Sequence, residues 1–297
     1  MNNFILRTLT GVAFVAVLVG CTIYSPLTFA GLFCIISMLA TREFCTLMNS
    51  RDGVEVNTVI TTMSSGLLFI AMFATCTSND DGFIHLANTV LLFLPYALTI
   101  LYLLVAELYL KHEDPINTWA CTLMSQLYIA LPFALLNLLA FNTEMSSRFW
   151  LFPLSTFVFI WASDTGAYCV GSMLHNVFPA KLFPRISPKK SWVGSIGGGV
   201  IAMLIGTLIW LLTNNLEGDA VCSILTLPEW LGFALVVTVF GTWGDLVESL
   251  IKRTLGIKDS GNTLPGHGGM LDRFDSSLLA IPATAVYLYT ILMLNME

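Results

Sequence analysis

Between Asp245 and Asp275 the chain gathers nine of its 32 charged side chains. Asp245 follows a glycine and stands seven residues ahead of Lys252, with Arg253 next to that lysine. Lys258 and Asp259 come next, then the run Gly266-His267-Gly268-Gly269, and after it Asp272, Arg273 and Asp275. Carboxylates, bases and a glycine turn in one stretch suit a hard cation together with a polyphosphate. Mg²⁺ takes one or two carboxylates and completes its shell with water and phosphate oxygens. Glycines let the backbone come close to a ligand, and the free N–H groups of a following helix start can hold phosphate. Asp272 and Asp275, three apart, are expected on one face at the start of the last helix. Asp272 has a plainer reading as a helix N-cap, but a cap alone leaves the neighbouring bases, glycines and Asp259 without a purpose. His267 is a member of this candidate site with no proton-transfer role assigned to it.

Two upstream stretches add to the set. In "WASDTGAYCVG", 161–171, Asp164 closes an apolar run; an ionisable group at membrane depth is a functional candidate, set against an interfacial Asp that merely reaches water. In "RISPKKSWVGSIGGG", 185–199, Lys189, Lys190 and Ser191 precede a glycine-rich helix start. The lysines are placed to meet phosphate or anionic headgroups. The plainer alternatives are ordinary cytoplasmic lysines and small residues that serve close helix packing.

Such groups need elements to hold them, and the composition says which kind. The 297 residues are 56% hydrophobic and 11% charged, with a mean hydropathy of +0.79, against roughly 25% charge in an average soluble domain. An all-α polytopic membrane protein follows. A spanning helix needs about 20 mainly apolar residues, and nine candidates fall at 8–24, 28–41, 57–76, 88–110, 119–141, 149–163, 195–213, 229–244 and 276–295. With the N-terminus in the cytoplasm, alternation puts twelve of the 13 Lys and Arg residues inside and only Arg148 outside, as the positive-inside rule requires. The C-terminus is then outside. Five spans belong to residues 1–148 and four to a catalytic region, 149–297, whose long cytoplasmic loops lie near 164–194 and 245–275. The seven cysteines form no C-x-x-C pair and read as small apolar residues rather than as disulfides or a zinc site. "LVGC" at 18–21 also has the look of a lipoprotein signal, but the apolar segments that follow fit a first spanning helix. The acidic balance, 13 bases to 19 acids, argues against a nucleic-acid partner.

Ser249, Lys252, Arg253, Lys258, Asp259, Gly261, Leu264, Pro265, His267, Gly268, Gly269, Asp272, Arg273 and Asp275, in this spacing, resemble the signature of phosphatidate cytidylyltransferases, the CDP-diacylglycerol synthases. "SDTGAY" and "SPKKSW" are similar to two upstream motifs of the same family, in the expected order. One departure is Val193, where the family usually has Glu. The resemblance implies a bilayer-embedded enzyme, in a bacterial-type inner membrane, with its site facing the cytoplasm. It implies CTP and phosphatidic acid as substrates, CDP-diacylglycerol and pyrophosphate as products, a homodimer, and a Mg²⁺ requirement, the identity of any second cation staying open. The metal carboxylates it implies are Asp245 and Asp272. Lys189, Lys190, Lys252, Arg253 and Arg273 then serve as fixed positive groups around phosphates. Asp164 and Asp275 orient those bases or complete the metal shell, and Ser191, Lys258, Asp259, Gly268 and Gly269 contact substrate. Two rival expectations are a CTP-dependent polyprenol kinase, which would transfer the γ-phosphate, and a secondary transporter, whose charges would lie near the midplane in paired repeats.

Overall fold

The structure, a computed structural model, describes residues 3–78, 82–141, 148–174, 176–214, 225–263 and 268–295. Helices dominate: α1 (Asn3–Tyr24), α2 (Pro26–Met48), α3 (Thr58–Thr77), α4 (Gly82–Leu110), α5 (Pro115–Ser125), α6 (Leu131–Ala140), α7 (Leu151–Leu174), α8 (Trp192–Asn214), α9 (Leu227–Thr254), α10 (Leu271–Phe274) and α11 (Ser277–Asn295). One π-helical turn, Gln126–Ala130, joins α5 to α6. Among the described residues, seven helical segments are long and apolar enough to cross a membrane, and Thr8–Tyr24 is a shorter apolar helix. The all-α membrane class expected from composition is what the structure shows.

Two departures matter for the site. The stretches read as loops after 163 and after 244 begin as helix: α7 runs on to Leu174 and α9 to Thr254. At 1.5 Å per residue, the 28 residues of α9 reach about 42 Å, beyond a hydrocarbon core of about 30 Å, so its polar end needs no loop to leave lipid. The second departure is a small antiparallel hairpin, β1 (Lys181–Phe183) paired with β2 (Ser187–Ser191). It carries the "SPKKS" run directly into the first turn of α8.

The chain forms two compact units that do not follow chain order: 1–141 with 255–274, and 142–254 with 275–297. In the first unit, local signals set the helix starts. Ser25 and Thr28 form a reciprocal capping box ahead of α2, with Pro26 at its first position, and Asp114 caps α5 ahead of Pro115. The segment 255–274 is held within this unit by Phe274, whose ring meets Phe133 at 5.3 Å and Phe14 at 5.9 Å. Buried edge-to-face pairs of this kind contribute about 0.5–1.5 kcal/mol beyond their area.

In the second unit α7 and α8 pack with almost no space between them. A Cβ on Gly198 would lie 2.3 Å from the Ser163 carbonyl oxygen, and one on Gly197 would lie 2.5 Å from Val170. Small residues allow this approach, as in other membrane helix pairs. Lower in the unit, Phe152, Phe159, Trp230 and Phe233 form an aromatic core between α7 and α9. Gly244 does for α9 and the start of α11 what Gly198 does for α7 and α8, its Cβ position being 2.6 Å from the Asp275 carbonyl oxygen.

Candidate functional site

Within the second unit the close α7–α8 contact, the hairpin and α9 together enclose a cavity of about 530 Å³. Asp164, Lys189, Lys190, Ser191 and Asp245, all singled out from sequence, line it. Ser163, Tyr168, Lys181 and Thr242 line it as well, and none of these four carried a signal beyond its neighbours' motifs. Three separate stretches of sequence thus meet in one hollow.

The Lys190 ammonium is the link between them. Its Nζ lies 2.5 Å from Asp245 Oδ2 and donates to the Thr242 carbonyl at 3.4 Å. Asp245 Oδ1 accepts the Ser249 hydroxyl, one helical turn on, at 3.1 Å. Both members of the ion pair are half-buried, so the attraction is stronger than at a free surface yet open to exchange for ligand contacts. Asp164 feels both the attraction of Lys190 and the repulsion of Asp245. Asp275 feels Asp245 and Asp164 as like charges and Lys252 as an opposite one. Lys252 pairs one turn back with Glu248, which is 1% exposed; Glu248 was not singled out from sequence. Arg253 is exposed.

The glycine-rich start of α8 resolves toward packing. Gly194, Gly197 and Gly198 press against α7, and the Gly194 N–H donates to Ser191 Oγ at 3.2 Å. Ser191 is buried and caps α8.

The first unit holds the signature loop. Asp272 Oδ2 accepts the backbone N–H groups of Ser260 at 2.8 Å and Gly269 at 2.9 Å. Asp272 lies in the four-residue α10, and a break at 275–276 separates it from α11. The expected single helical face for Asp272 and Asp275 is therefore not kept. Asp275 Oδ1 instead accepts the Ser276 N–H at 2.6 Å. Gly268 has φ of +84°, and a Cβ there would lie 2.8 Å from Asp272 Oδ2 and 3.8 Å from the Asp259 Cβ. Gly268→Ala is accordingly expected to strain the loop by roughly 1–3 kcal/mol, seen as faster proteolytic cutting within 255–274 while the helices stay intact. Lys258, Asp259 and Arg273 are exposed. His267, with Leu264, Pro265 and Gly266, lies outside the described residues.

Glu43, near the end of α2, also meets this loop, though little in the sequence pointed to it. Its Oε1 accepts the Met270 N–H at 2.9 Å and the Thr263 hydroxyl, and its Oε2 accepts the Leu271 N–H at 2.9 Å. A charged side chain near a span end is the only signal it offers.

The donor chemistry of the cavity is all oxygen on its acidic side, with Asp164 and Asp245 as a carboxylate pair and neither Cys nor His in the lining. Among the described residues no group of three or more His, Cys, Asp or Glu side chains is arranged as a metal cage. Mg²⁺ does not require one, since it keeps waters and shares phosphate oxygens. Like-charged carboxylates around a lysine are also a setting that a divalent cation would relieve. The residues fit such an ion.

A family model described as "Cytidylyltransferase family" matches residues 5–291. The phosphatidate cytidylyltransferase of Bacillus subtilis (strain 168) is 45% identical over 139 residues, 46% of this chain and 45% of the relative. That of Staphylococcus aureus (strain COL) is 37% identical over 172 residues, 57% and 58% of the two chains. That of Haemophilus influenzae is 36% identical over 140 residues, 47% and 46%. The chain spans about half the length of the curated relatives it matches.

Proposed function

Because the chain belongs to the cytidylyltransferase family, we propose that it is a phosphatidate cytidylyltransferase, joining CTP and phosphatidic acid into CDP-diacylglycerol and pyrophosphate. The observation that carries this is the Lys190–Asp245 pair, through which "SPKKSW" and the α9 carboxylate meet in the cavity that Asp164 also lines. A lone lysine or a lone carboxylate would be unremarkable at a helix end; an anion-binding and a cation-binding group from separate motifs in one hollow is what a nucleotide with its metal requires.

An oxygen of the phosphatidate phosphate attacks the α-phosphorus of CTP. The bond from that phosphorus to the bridging oxygen breaks, and its electron pair leaves with pyrophosphate. The nucleophile is already anionic, so no strong general base is needed. Bringing two anions together is the harder task, and Lys189 and Lys190 answer it as fixed positive groups. Asp245 holds Lys190 at the cavity wall until phosphate competes for the ammonium. Mg²⁺, held by Asp245 with Asp164 beside it, would neutralise phosphate charge and polarise the α-phosphorus. The part of Asp272 in that metal site rests on the motif resemblance alone. Lys252, Arg253, His267, Arg273 and Asp275 complete the proposed site on the same basis.

The reading includes nine spans with the N-terminus in the cytoplasm and the C-terminus outside, supported by the one-sided Lys and Arg distribution. It places the site at the cytoplasmic face of a plasma membrane, where soluble CTP meets a lipid phosphate, in the 149–297 region of a homodimer.

The experiment is pyrophosphate release by the purified full chain with Mg²⁺ and CTP. Release is expected to depend on added phosphatidate and to stop on chelation. Release of CDP with a polyprenol acceptor instead would contradict the proposal.

A further inference from the structure

We propose that Glu43 is a positioning residue for the signature loop, its carboxylate fixing the direction in which Asp272 points. The inference rests on the preceding reading in one respect, that Asp272 serves the cation and phosphates.

Each oxygen of Glu43 takes one backbone N–H and one hydroxyl. Oε1 accepts from Met270 N and Thr263 Oγ1, and Oε2 accepts from Leu271 N and, at 3.4 Å, from Ser260 Oγ. Asp272 uses the same short run of chain. Its Oδ2 accepts from Ser260 N and Gly269 N. Ser260 therefore gives its hydroxyl to one carboxylate and its amide to the other. Gly269 gives its amide to Asp272, and the next residue, Met270, gives its own to Glu43. Neither carboxylate can shift without pulling the peptide groups that hold the other.

Steric fit points the same way. A Cβ on Gly269 would lie 2.3 Å from Ser260 Oγ, 2.5 Å from Glu43 Oε2 and 2.8 Å from Gly261 N. Only glycine leaves room for the Glu43 carboxylate at the centre of this turn. The support beneath it is rigid, since Ala40, Thr41, Phe44 and Cys45 of α2 are fully buried. Glu43 thus transmits the position of a packed helix to a loop more than 200 residues away in sequence.

The partners of Glu43 explain its purpose. Both of its oxygens are taken up by amide and hydroxyl donors of the loop itself, which suits a carboxylate that holds the loop. Converging donors on an ionised acceptor form bonds roughly twice as strong as neutral ones. A glutamine has one acceptor oxygen, and its NH₂ group would face a donor amide. Glu43→Gln therefore orphans one side of the turn.

The test uses the purified full chain, wild type and E43Q, in detergent. Without metal, hydrogen exchange at the amides of Ser260, Gly269, Met270 and Leu271 is expected to accelerate in E43Q while the helices exchange as in wild type. Mn²⁺ titration followed by electron paramagnetic resonance should show affinity weaker by about 10–100-fold, the usual cost of losing a group that orients a metal ligand. The Mg²⁺ concentration for half-maximal pyrophosphate release should rise in parallel, with activity recovering at high Mg²⁺. Unchanged loop exchange, or a loosened loop with an unchanged metal response, overturns the proposal. Should E43Q fail to fold, T263V removes a single exposed donor; it should move both readouts the same way by a smaller factor, and wild-type values for both would overturn the proposal. A wild-type chain that releases no pyrophosphate sinks the functional reading instead, and loop exchange in E43Q still decides the role of Glu43.

Discussion

Asp245→Asn is expected to keep the fold and lose CTP-dependent pyrophosphate release by about 10²–10³-fold, the range seen when one preorganised electrostatic group is removed from a reaction centre. The asparagine is nearly isosteric, and its carbonyl can still accept the Ser249 hydroxyl that Asp245 accepts at 3.1 Å. What it cannot do is face the Lys190 ammonium. The Asp245 Oδ2–Lys190 Nζ approach of 2.5 Å becomes a contact between two donors, or a contact without net charge on the acceptor. Lys190 then leaves its place at the cavity wall, and the proposed cation loses a carboxylate at the same time. Both partners are half-buried rather than sealed, so the cost to stability is modest and the apolar core still decides folding. Thermal unfolding close to wild type together with the activity loss is the expected pair of results. Near-wild-type turnover would remove Asp245 from the mechanism.

Gly198→Ala is expected to act through geometry rather than charge. The new methyl would lie 2.3 Å from the Ser163 carbonyl oxygen and 3.2 Å from atoms of Ala167. The first of these is backbone, which cannot rotate away, so α7 and α8 must separate or slide. Overpacking of this kind costs typically 1–3 kcal/mol. The larger effect is on activity, because Asp164 follows Ser163 directly on α7 and the Lys189-Lys190 pair leads straight into α8. A displacement of about 1 Å between groups that must align can cost on the order of 10²-fold. The predicted signature is a lowered unfolding temperature with a kcat loss much greater than the stability change would produce. A methyl accommodated with full activity would show that the α7–α8 distance does not set the site.

Legibility in the sequence followed the reach of each interaction. Every apolar run picked out from sequence falls on a helix, and among the described residues seven helical segments are long and apolar enough to cross a membrane, because an apolar run of about 20 residues is a local property. Asp164, Lys190 and Asp245 were visible as charges in a chain that otherwise avoids them, and they do line one cavity. Where helices stop was less legible. Polar residues after 163 and after 244 looked like loop, yet a helix satisfies its own backbone whatever surrounds it and has no reason to end there, and α7 and α9 continue. The "SPKKSWVGSIGGG" run had two readings, lysines that meet phosphate and small residues that serve helix contact. The Cβ distances of Gly197 and Gly198 show the helix contact.

Glu43 lies beyond the reach of any local pattern. Its partners Ser260, Thr263, Met270 and Leu271 are separated from it by 217 to 228 residues, and no spacing rule spans that interval. The break between α10 and α11 was hidden for a related reason. Asp272 is drawn to the amides of Ser260 and Gly269, and a loop contact of that kind overrides the i, i+3 pairing that a continuous helix would have imposed.

In the proposed reaction the lipid receives the cytidylyl group and not a bare phosphate. CTP labelled at the α-phosphorus in one reaction and at the γ-phosphorus in another, each with phosphatidate, Mg²⁺ and the purified chain, tests it most directly. Lipid-soluble label is expected from α-labelled CTP only, with the γ-label recovered in pyrophosphate. Label entering lipid from the γ-position, or from neither beside an active control enzyme, would contradict it.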